Sequence, residues 1–190
     1  MTSYLLSGPA SEPVTLDEAR AYLRLDATDD DALVTTLIAA ARLHIESVTG
    51  RALLSQTWRV VRDDWPVSAA IRLPVSPLRS VAAVTGYDAE GTAHNLDPDA
   101  IQLDVAGGQL FLPAGYGDGM LLRDRQGIEI DYVAGYGDDA ADVPEVLRQA
   151  LLQLVAYWFE NRDSVVIAGA GALIPSGFDQ LVAPYRAVRL

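Results

Sequence analysis

The sequence contains no cysteine and no lysine. The lack of cysteine excludes disulfide bonds and cysteine-ligated zinc sites. Because lysine is absent, all 14 basic residues are arginines, and 26 acidic residues outnumber them, giving a formal charge of -12. Binding the phosphate backbone of a nucleic acid needs a basic surface that displaces the counterions of the nucleic acid. We therefore do not expect this chain to bind nucleic acid.

Sequence signatures of membranes and of catalysis are missing as well. No charged-then-apolar leader opens the chain and no apolar run approaches the roughly 18 residues that cross a bilayer, so we expect cytoplasmic synthesis and no membrane partner. No G-x-S-x-G, phosphate-loop or H-E-x-x-H motif occurs, and the only histidines, His44 and His94, lie on different predicted elements. We expect His44 to be partly buried and hydrogen-bonded. The prediction is a protein that is not an enzyme, with no cofactor, no metal site and no catalytic residue.

The longest predicted helix spans about residues 30–49. Its apolar residues, Leu37 and Ala41 among them, recur at steps of three and four, the spacing that places side chains on one helical face. Asp29, Asp30 and Asp31 predict a side-chain cap at its start, and Gly50 can adopt the left-handed conformation that ends a helix.

Two further helices flank this one in the sequence. Thr15 and Glu18 form a capping box that begins a helix over about residues 15–25. Pro144 opens a second long helix over about residues 144–161, whose apolar residues cover most of its circumference. Such a helix must be covered on more than one side. Either it lies between the first helices and the β-rich segment of its own chain, or one flank meets another subunit.

The segment from about residue 56 to residue 134 has the composition of antiparallel strands. Short runs rich in Val, Ile, Tyr and Trp alternate with Pro, Gly and Asp. The candidate strands are Thr57–Asp63, Ala70–Leu73, Ser80–Tyr87, Ala100–Asp104, Gln109–Leu112 and Ile128–Val133, with a hairpin turn over Asp88–Gly91.

Two glycine turns in this segment, near Tyr116 and Tyr136, are similar to each other. The second continues as Gly135-Tyr136-Gly137, which matches the beginning of a dinucleotide-binding motif. Three aspartates follow where pyrophosphate would lie, so we interpret the turn as structural.

The predicted fold is α+β. A small helical bundle of two N-terminal helices and one long C-terminal helix carries an antiparallel β insert and an extended C-terminal tail. Residues 1–13 are predicted to be a loose arm, residues 14–162 the main domain, and residues 163–190 a flexible loop followed by a tail. This tail is either a docking element for a partner or a strap over the chain's own core.

The order and spacing of several motifs resemble the head-tail connector, or adaptor, proteins of long-tailed phages and gene transfer agents. The resemblance covers most of the chain. It is carried by VTLDEARAYLRLD at 14–26, DDDALVTTLIAAARLHIESVTGRAL at 29–53, QTW at 56–58, IRLPVSPLRSVAAVTGYDAEG at 71–91, YVAGYG at 132–137, VPEVLRQALLQLVAYWFENRD at 143–163 and LVAPYR at 181–186.

This resemblance implies a ring, usually dodecameric, beneath the portal protein at the capsid vertex of a virion or phage-like particle. DNA would pass through the lumen without sequence-specific binding, and a head-closure (stopper) or tail protein would assemble on the ring. No catalytic residue is implied.

Two surfaces follow from this resemblance as hypotheses. The tail is predicted to bind the portal, and the long helices are predicted to form contacts between subunits. The portal-binding residues are Phe178, Leu181, Tyr185, Arg186 and Arg189, and the subunit-interface residues are Leu37, Ala41, Trp158 and Phe159. The alternative function is a soluble ligand-binding or enzymatic domain with a β-rich site near the glycine turns.

Overall fold

A computed structural model describes residues 1–116, 119–161 and 174–186. The fold is α+β, with four α-helices and antiparallel sheets in this part of the chain. The chain divides into two compact units, each built from two separate segments. Residues 1–9 and 55–136 form the β unit, and residues 10–54 and 137–190 form the helical unit.

The first two helices of the helical unit follow the sequence prediction closely. Helix α1 spans Leu16–Leu23, and its capping box is present, with the Glu18 N–H donating to Thr15 Oγ1 at 3.1 Å. Helix α2 spans Asp31–Thr49 and ends at Gly50 with φ of 68°. The predicted aspartate cap of α2 is wrong, because the residue at the N-cap, Asp30, makes no side-chain capping bond there.

The third helix, α3, spans Glu145–Glu160 and is the centre of this unit. It packs against α1, α2 and a fourth helix, α4. This packing explains why its apolar residues cover so wide an arc. The residues that α3 buries are Leu147, Ala150, Leu151, Leu154, Val155 and Trp158.

The fourth helix corrects the prediction of an extended tail. Helix α4 spans Phe178–Val182, and a 3₁₀ turn over Ala183–Tyr185 follows it. Phe178 and Val182 are four residues apart, so they lie on one helical face, and both are fully buried. The segment predicted to be flexible, residues 163–172, lies outside the described residues.

The β unit contains eight described strands in two antiparallel sheets. The larger sheet has the order β1-β2-β8-β4-β5, and the smaller has the order β3-β7-β6. The strands are β1 Thr2–Ser7, β2 Gln56–Arg62, β3 Ala70–Arg72, β4 Leu78–Tyr87, β5 Ala93–Leu96, β6 Gln102–Asp104, β7 Gln109–Phe111 and β8 Ile128–Ala134.

Strand β8 shows how the sequence sets the two faces of the larger sheet. Its residues alternate strictly between buried and half-buried, with Ile128, Ile130 and Tyr132 inward and Glu129 and Asp131 outward. This period of two is the pattern of a sheet with one face in the core and one face polar.

Two strands were not predicted. Strand β1 lies in the supposed loose arm, where Thr2 to Ser7 pair with β2, so the prediction of an arm without structure is wrong there. Strand β5 follows the predicted hairpin turn, which is confirmed by the Gly91 N–H donating to the Asp88 carbonyl at 2.9 Å. Both strands lie at sheet edges and lack the alternating pattern, because edge strands have less of their surface in the core.

Helix α2 is also long and apolar enough, by length and composition, to cross a membrane. One such helix is weak evidence, because the core helix of a globular protein passes the same test. Six residues of α2 are buried, and Arg42 at its middle pairs with Glu12 at 2.8 Å and with Glu46 at 3.0 Å. These are the features of a core helix.

Candidate partner-binding site

The C-terminal segment from Ile174 to Arg186 is held to the rest of the helical unit by an aromatic cluster. The His44 ring on α2 lies 5.9 Å from the Trp158 ring, edge to face, and 5.6 Å from the Phe178 ring, measured between centroids. Phe178 therefore anchors α4 to α2 through His44, whose ring also contacts Trp158 on α3. Aromatic pairs in this range of distances and tilts are favourable beyond the area they bury.

His44 is half-buried in this cluster. Its Nε2 atom is buried without a hydrogen-bond partner among the described residues. Burial lowers the pKa of His44, and the nearby Asp179 carboxylate offsets part of that effect. The ring is thus partly buried, as expected, and packs against two aromatic rings, with its Nε2 atom making no hydrogen bond to the described residues.

Polar contacts fasten the far end of the same segment. Arg51 donates from Nε to the carbonyl of Tyr185 at 2.5 Å, and the Arg186 guanidinium pairs with the Asp179 carboxylate. The outward side of the segment carries Gln180, Pro184 and Arg186, all exposed. The segment consequently has an apolar inner side and a polar, arginine-bearing outer side.

The predicted portal-binding residues divide between these two sides. Phe178 is fully buried and offers no surface to a partner. Leu181 and Tyr185 are half-buried, and Arg186 is exposed. Arg189 lies outside the described residues. Sequence reasoning missed the role of Phe178 because its ring partner, His44, is distant in the chain.

The predicted subunit-interface residues are mostly in the core. Leu37, Ala41 and Trp158 are 3%, 0% and 4% exposed in the single chain, so they present no surface for another subunit. Their apolar periodicity reflects internal packing instead. Phe159 is half-buried, and it lies in line with half-buried Leu152 and Ala156 at the i, i+4, i+7 spacing of one helical flank.

The glycine turn near Tyr136 has a structural explanation. A Cβ atom on Gly137 would lie 1.9 Å from Asp142 Oδ2, so the space beside this glycine is filled by a carboxylate. That carboxylate accepts a hydrogen bond from the Asp139 N–H at 3.1 Å, closing a capping box. The arrangement caps a short 3₁₀ helix and would repel a phosphate.

Three half-buried charges of the β unit, Arg59, Glu129 and Asp131, are paired with one another. Arg59 donates from Nε to Asp131 at 2.6 Å and lies 2.9 Å from Glu129, and the Asp131 hydrogen bond is the main reason that its pKa is raised. The Tyr87 hydroxyl donates to Glu129 at 3.1 Å, and Arg123 covers the Tyr87 ring. In the described residues no group of three or more His, Asp or Glu is arranged to hold a metal ion.

Comparisons with known proteins agree with a structural role. A family described as head completion protein matches residues 12–177, so the chain belongs to the head completion protein family. This confirms the resemblance noted in the sequence. No curated protein sequence matches the chain significantly.

Three solved structures of gene transfer agent particles contain similar chains, each with 27% identity over 100% of this chain and 97% of theirs. Two are the neck of an empty particle computed with C6 symmetry and the virion of a native particle, both with a TM-score of 0.78. The third is the neck of a native particle computed with C12 symmetry, with a TM-score of 0.76.

Proposed function

We propose that this chain is a structural head-tail connector subunit in the neck of a phage-like particle, located at the portal vertex. The observation that carries this proposal is the full-length structural similarity to neck chains of gene transfer agent particles. The family match is consistent with it. The chain would be made in the bacterial cytoplasm, and its role would be to join the head to the tail rather than to catalyse a reaction.

Copies of the chain would close into a ring, with a dodecamer as the expected state. The C12 symmetry applied to a similar neck supports this number. Ring closure needs a heterologous contact, in which one face meets a different face of the neighbour. The flank of α3 formed by Leu152, Ala156 and Phe159 is one candidate for such a contact, since it is apolar and incompletely covered.

The ring would surround a lumen through which DNA passes. The net charge of -12 supports this role, because a strongly acidic protein offers little basic surface on which the phosphate backbone would be retained. Head-closure or tail proteins would assemble on the ring at the side away from the portal.

The C-terminal segment would bind the portal protein through its outer side. Leu181, Tyr185, Arg186 and Arg189 are the proposed contact residues, and Phe178 serves as the anchor that positions them. Tyrosine and arginine are enriched among residues that dominate interface energies. On this acidic chain, an arginine supplies positive charge at the contact. Its guanidinium also offers several directed hydrogen-bond donors.

Mass photometry of the purified chain, alone and with the portal protein of the same particle, tests the connector role. A ring mass, or a portal complex carrying many copies, is the expected result. A monomer that ignores the portal under all conditions would contradict the proposal.

The portal contact has its own test in Arg186→Glu. This substitution reverses an exposed charge but also breaks the pair between Arg186 and Asp179, so Asp179→Asn, which breaks the pair alone, is measured beside it. We expect portal affinity to fall about tenfold or more for Arg186→Glu and to stay near that of the unmodified chain for Asp179→Asn. Arg72→Glu is the matched control, since Arg72 is an exposed arginine on β3. Equal portal binding by Arg186→Glu and Arg72→Glu would remove Arg186 from the contact.

A further inference from the structure

Strand β1 is an open edge of the larger sheet. It pairs with β2 on one side, and on the other side it has no strand partner among the described residues. Tyr4, Leu5 and Leu6 are consecutive and each 44% exposed. The backbone N–H and C=O groups along this outer side are therefore available, and apolar side chains stand on both faces of the strand.

Such an edge normally carries a device that prevents pairing with other chains. Charged residues, prolines within the strand, or a covering loop are the usual ones. Strand β1, with the sequence TSYLLS, has no charged residue and no proline, and its one irregularity is a bulge between Leu5 and Ser7. An exposed edge of this kind is a template for adding another strand.

The opposite edge of the same sheet is formed by β5, which is also open among the described residues. Each neighbouring pair in the order β1-β2-β8-β4-β5 is antiparallel, so β1 and β5 run in the same direction. Rotation about a ring axis preserves strand direction relative to that axis. The β1 edge of one copy and the β5 edge of the next would consequently pair in parallel.

Charge favours a second copy of this chain at this edge. Two copies with a net charge of -12 each repel one another, so their contact should avoid acidic side chains. Neither β1, with the sequence TSYLLS, nor β5, with the sequence AHNL, contains an acidic residue. These edges allow backbone pairing between two strongly acidic molecules without placing carboxylates opposite each other.

We propose that β1 pairs with the β5 edge of the neighbouring copy, so that the larger sheet continues from subunit to subunit. This inference rests on the proposed ring and names a contact within it. The pairing is head-to-tail, since each copy offers its β1 edge to one neighbour and its β5 edge to the other.

The absence of cysteine makes cross-linking a direct test. Tyr4 and Asn95 lie on the same face of the sheet. Across the strands, Tyr4 is in register with Arg59 and then with Asp131 of β8, and Asn95 is in register with Thr85 and then with Glu129 of β8. Because Glu129 and Asp131 are two residues apart on one strand, they share a face. Tyr4→Cys and Asn95→Cys would be prepared separately, mixed, assembled into rings with the portal protein present, and treated with a short bis-maleimide.

Cross-linked dimers from the mixture, and not from either variant alone, are the expected result. Dimers from Tyr4→Cys alone would indicate a two-fold β1–β1 contact and overturn the proposal. Rings of the correct mass without cross-links would overturn it too, while leaving the connector function intact. Failure of any ring to form would overturn both.

A charge placed on the edge is the second test. Leu5→Lys should lower the fraction of chains in rings by about tenfold or more, because a lysine on an edge strand opposes pairing. Leu121→Lys is the matched control, being another exposed leucine of the β unit. Unchanged ring formation by folded Leu5→Lys would contradict the proposed contact.

Discussion

His44 connects α2 with the C-terminal segment and should make the helical unit sensitive to acid. Its pKa is lowered by burial, whereas in the unfolded chain a histidine titrates near its ordinary value of about 6.5. Below that pH the unfolded state binds more protons than the folded state, so the free energy of unfolding decreases as pH falls toward the folded pKa. Above about pH 6.5 the histidine contributes no pH dependence. Urea unfolding followed by circular dichroism between pH 8 and pH 5 measures this slope.

The other histidine supplies the control for this prediction. His44→Gln should remove the part of the slope that lies just below pH 6.5, relative to the unmodified chain. His94→Gln should retain that part, because His94 is on the β unit and pairs with Asp88 in its own hairpin. An identical slope for His44→Gln and the unmodified chain would show that the aromatic cluster does not exclude the protonated ring.

Gly137 is required by the carboxylate beside it. In Gly137→Ala the new methyl group must displace Asp142 and break its hydrogen bond with the Asp139 N–H. We expect a loss of about 1–3 kcal/mol in the free energy of unfolding, the usual cost of overpacking. Because Asp142→Ala removes the obstruction, the double variant should lose less than the sum of the two single variants. Strict additivity, measured by denaturant titration, would rule out this contact.

At the scale of the elements, the capping box of α1 is the feature that sequence predicted best, and its energy can be measured. Thr15→Ala should cost about 1 kcal/mol, since it leaves the Glu18 N–H without its side-chain acceptor. Thr35→Ala, inside α2 on an exposed turn, is the matched control, and it should be neutral or slightly stabilising because alanine is the better helix former. Equal destabilisation by the two changes would argue against the cap.

Helices could be predicted from the sequence where local chemistry determines them. The capping box of α1, Gly50 after α2 and Pro144 before α3 set boundaries within a residue or two of those observed. Helix α4 was missed because its stability depends on burying Phe178 against residues far away in the chain. Strand β1 was missed for a similar reason, as only pairing with β2 makes it a strand.

The same distinction applies to the candidate site. Periodicity identified Leu37, Ala41 and Trp158 as apolar positions, and the structure buries all three. Periodicity alone does not distinguish a residue buried in its own chain from one buried by a neighbouring subunit. The sequence therefore could not show whether these three residues lie in the core or at a subunit interface. Exposed apolar residues on an edge strand leave no periodic pattern and could be found only in the folded chain.

For the whole molecule, net charge should govern assembly. Copies with a charge of -12 repel each other, and salt screens this repulsion over a Debye length of about 10 Å at 0.1 M. We expect the fraction of chains in rings to rise when ionic strength is increased from about 0.01 to about 0.3 M. Mass photometry across a salt series measures it. A fraction that falls with salt would indicate that ion pairs between subunits outweigh the overall repulsion.

The division into two units, each made from two chain segments, governs the order in which the protein can fold during synthesis. The chain passes between the units three times, at the boundaries after residues 9, 54 and 136. Strand β1 is synthesised before every other described element, yet its partner β2 begins only at Gln56, and β8, the next strand of the sheet, ends at Ala134. Strand β1, which is uncharged, therefore stays unpaired while α1 and α2 are synthesised. Neither unit can be produced as a continuous fragment, and a nascent chain halted before β2 would expose a strand prone to pairing with other nascent chains.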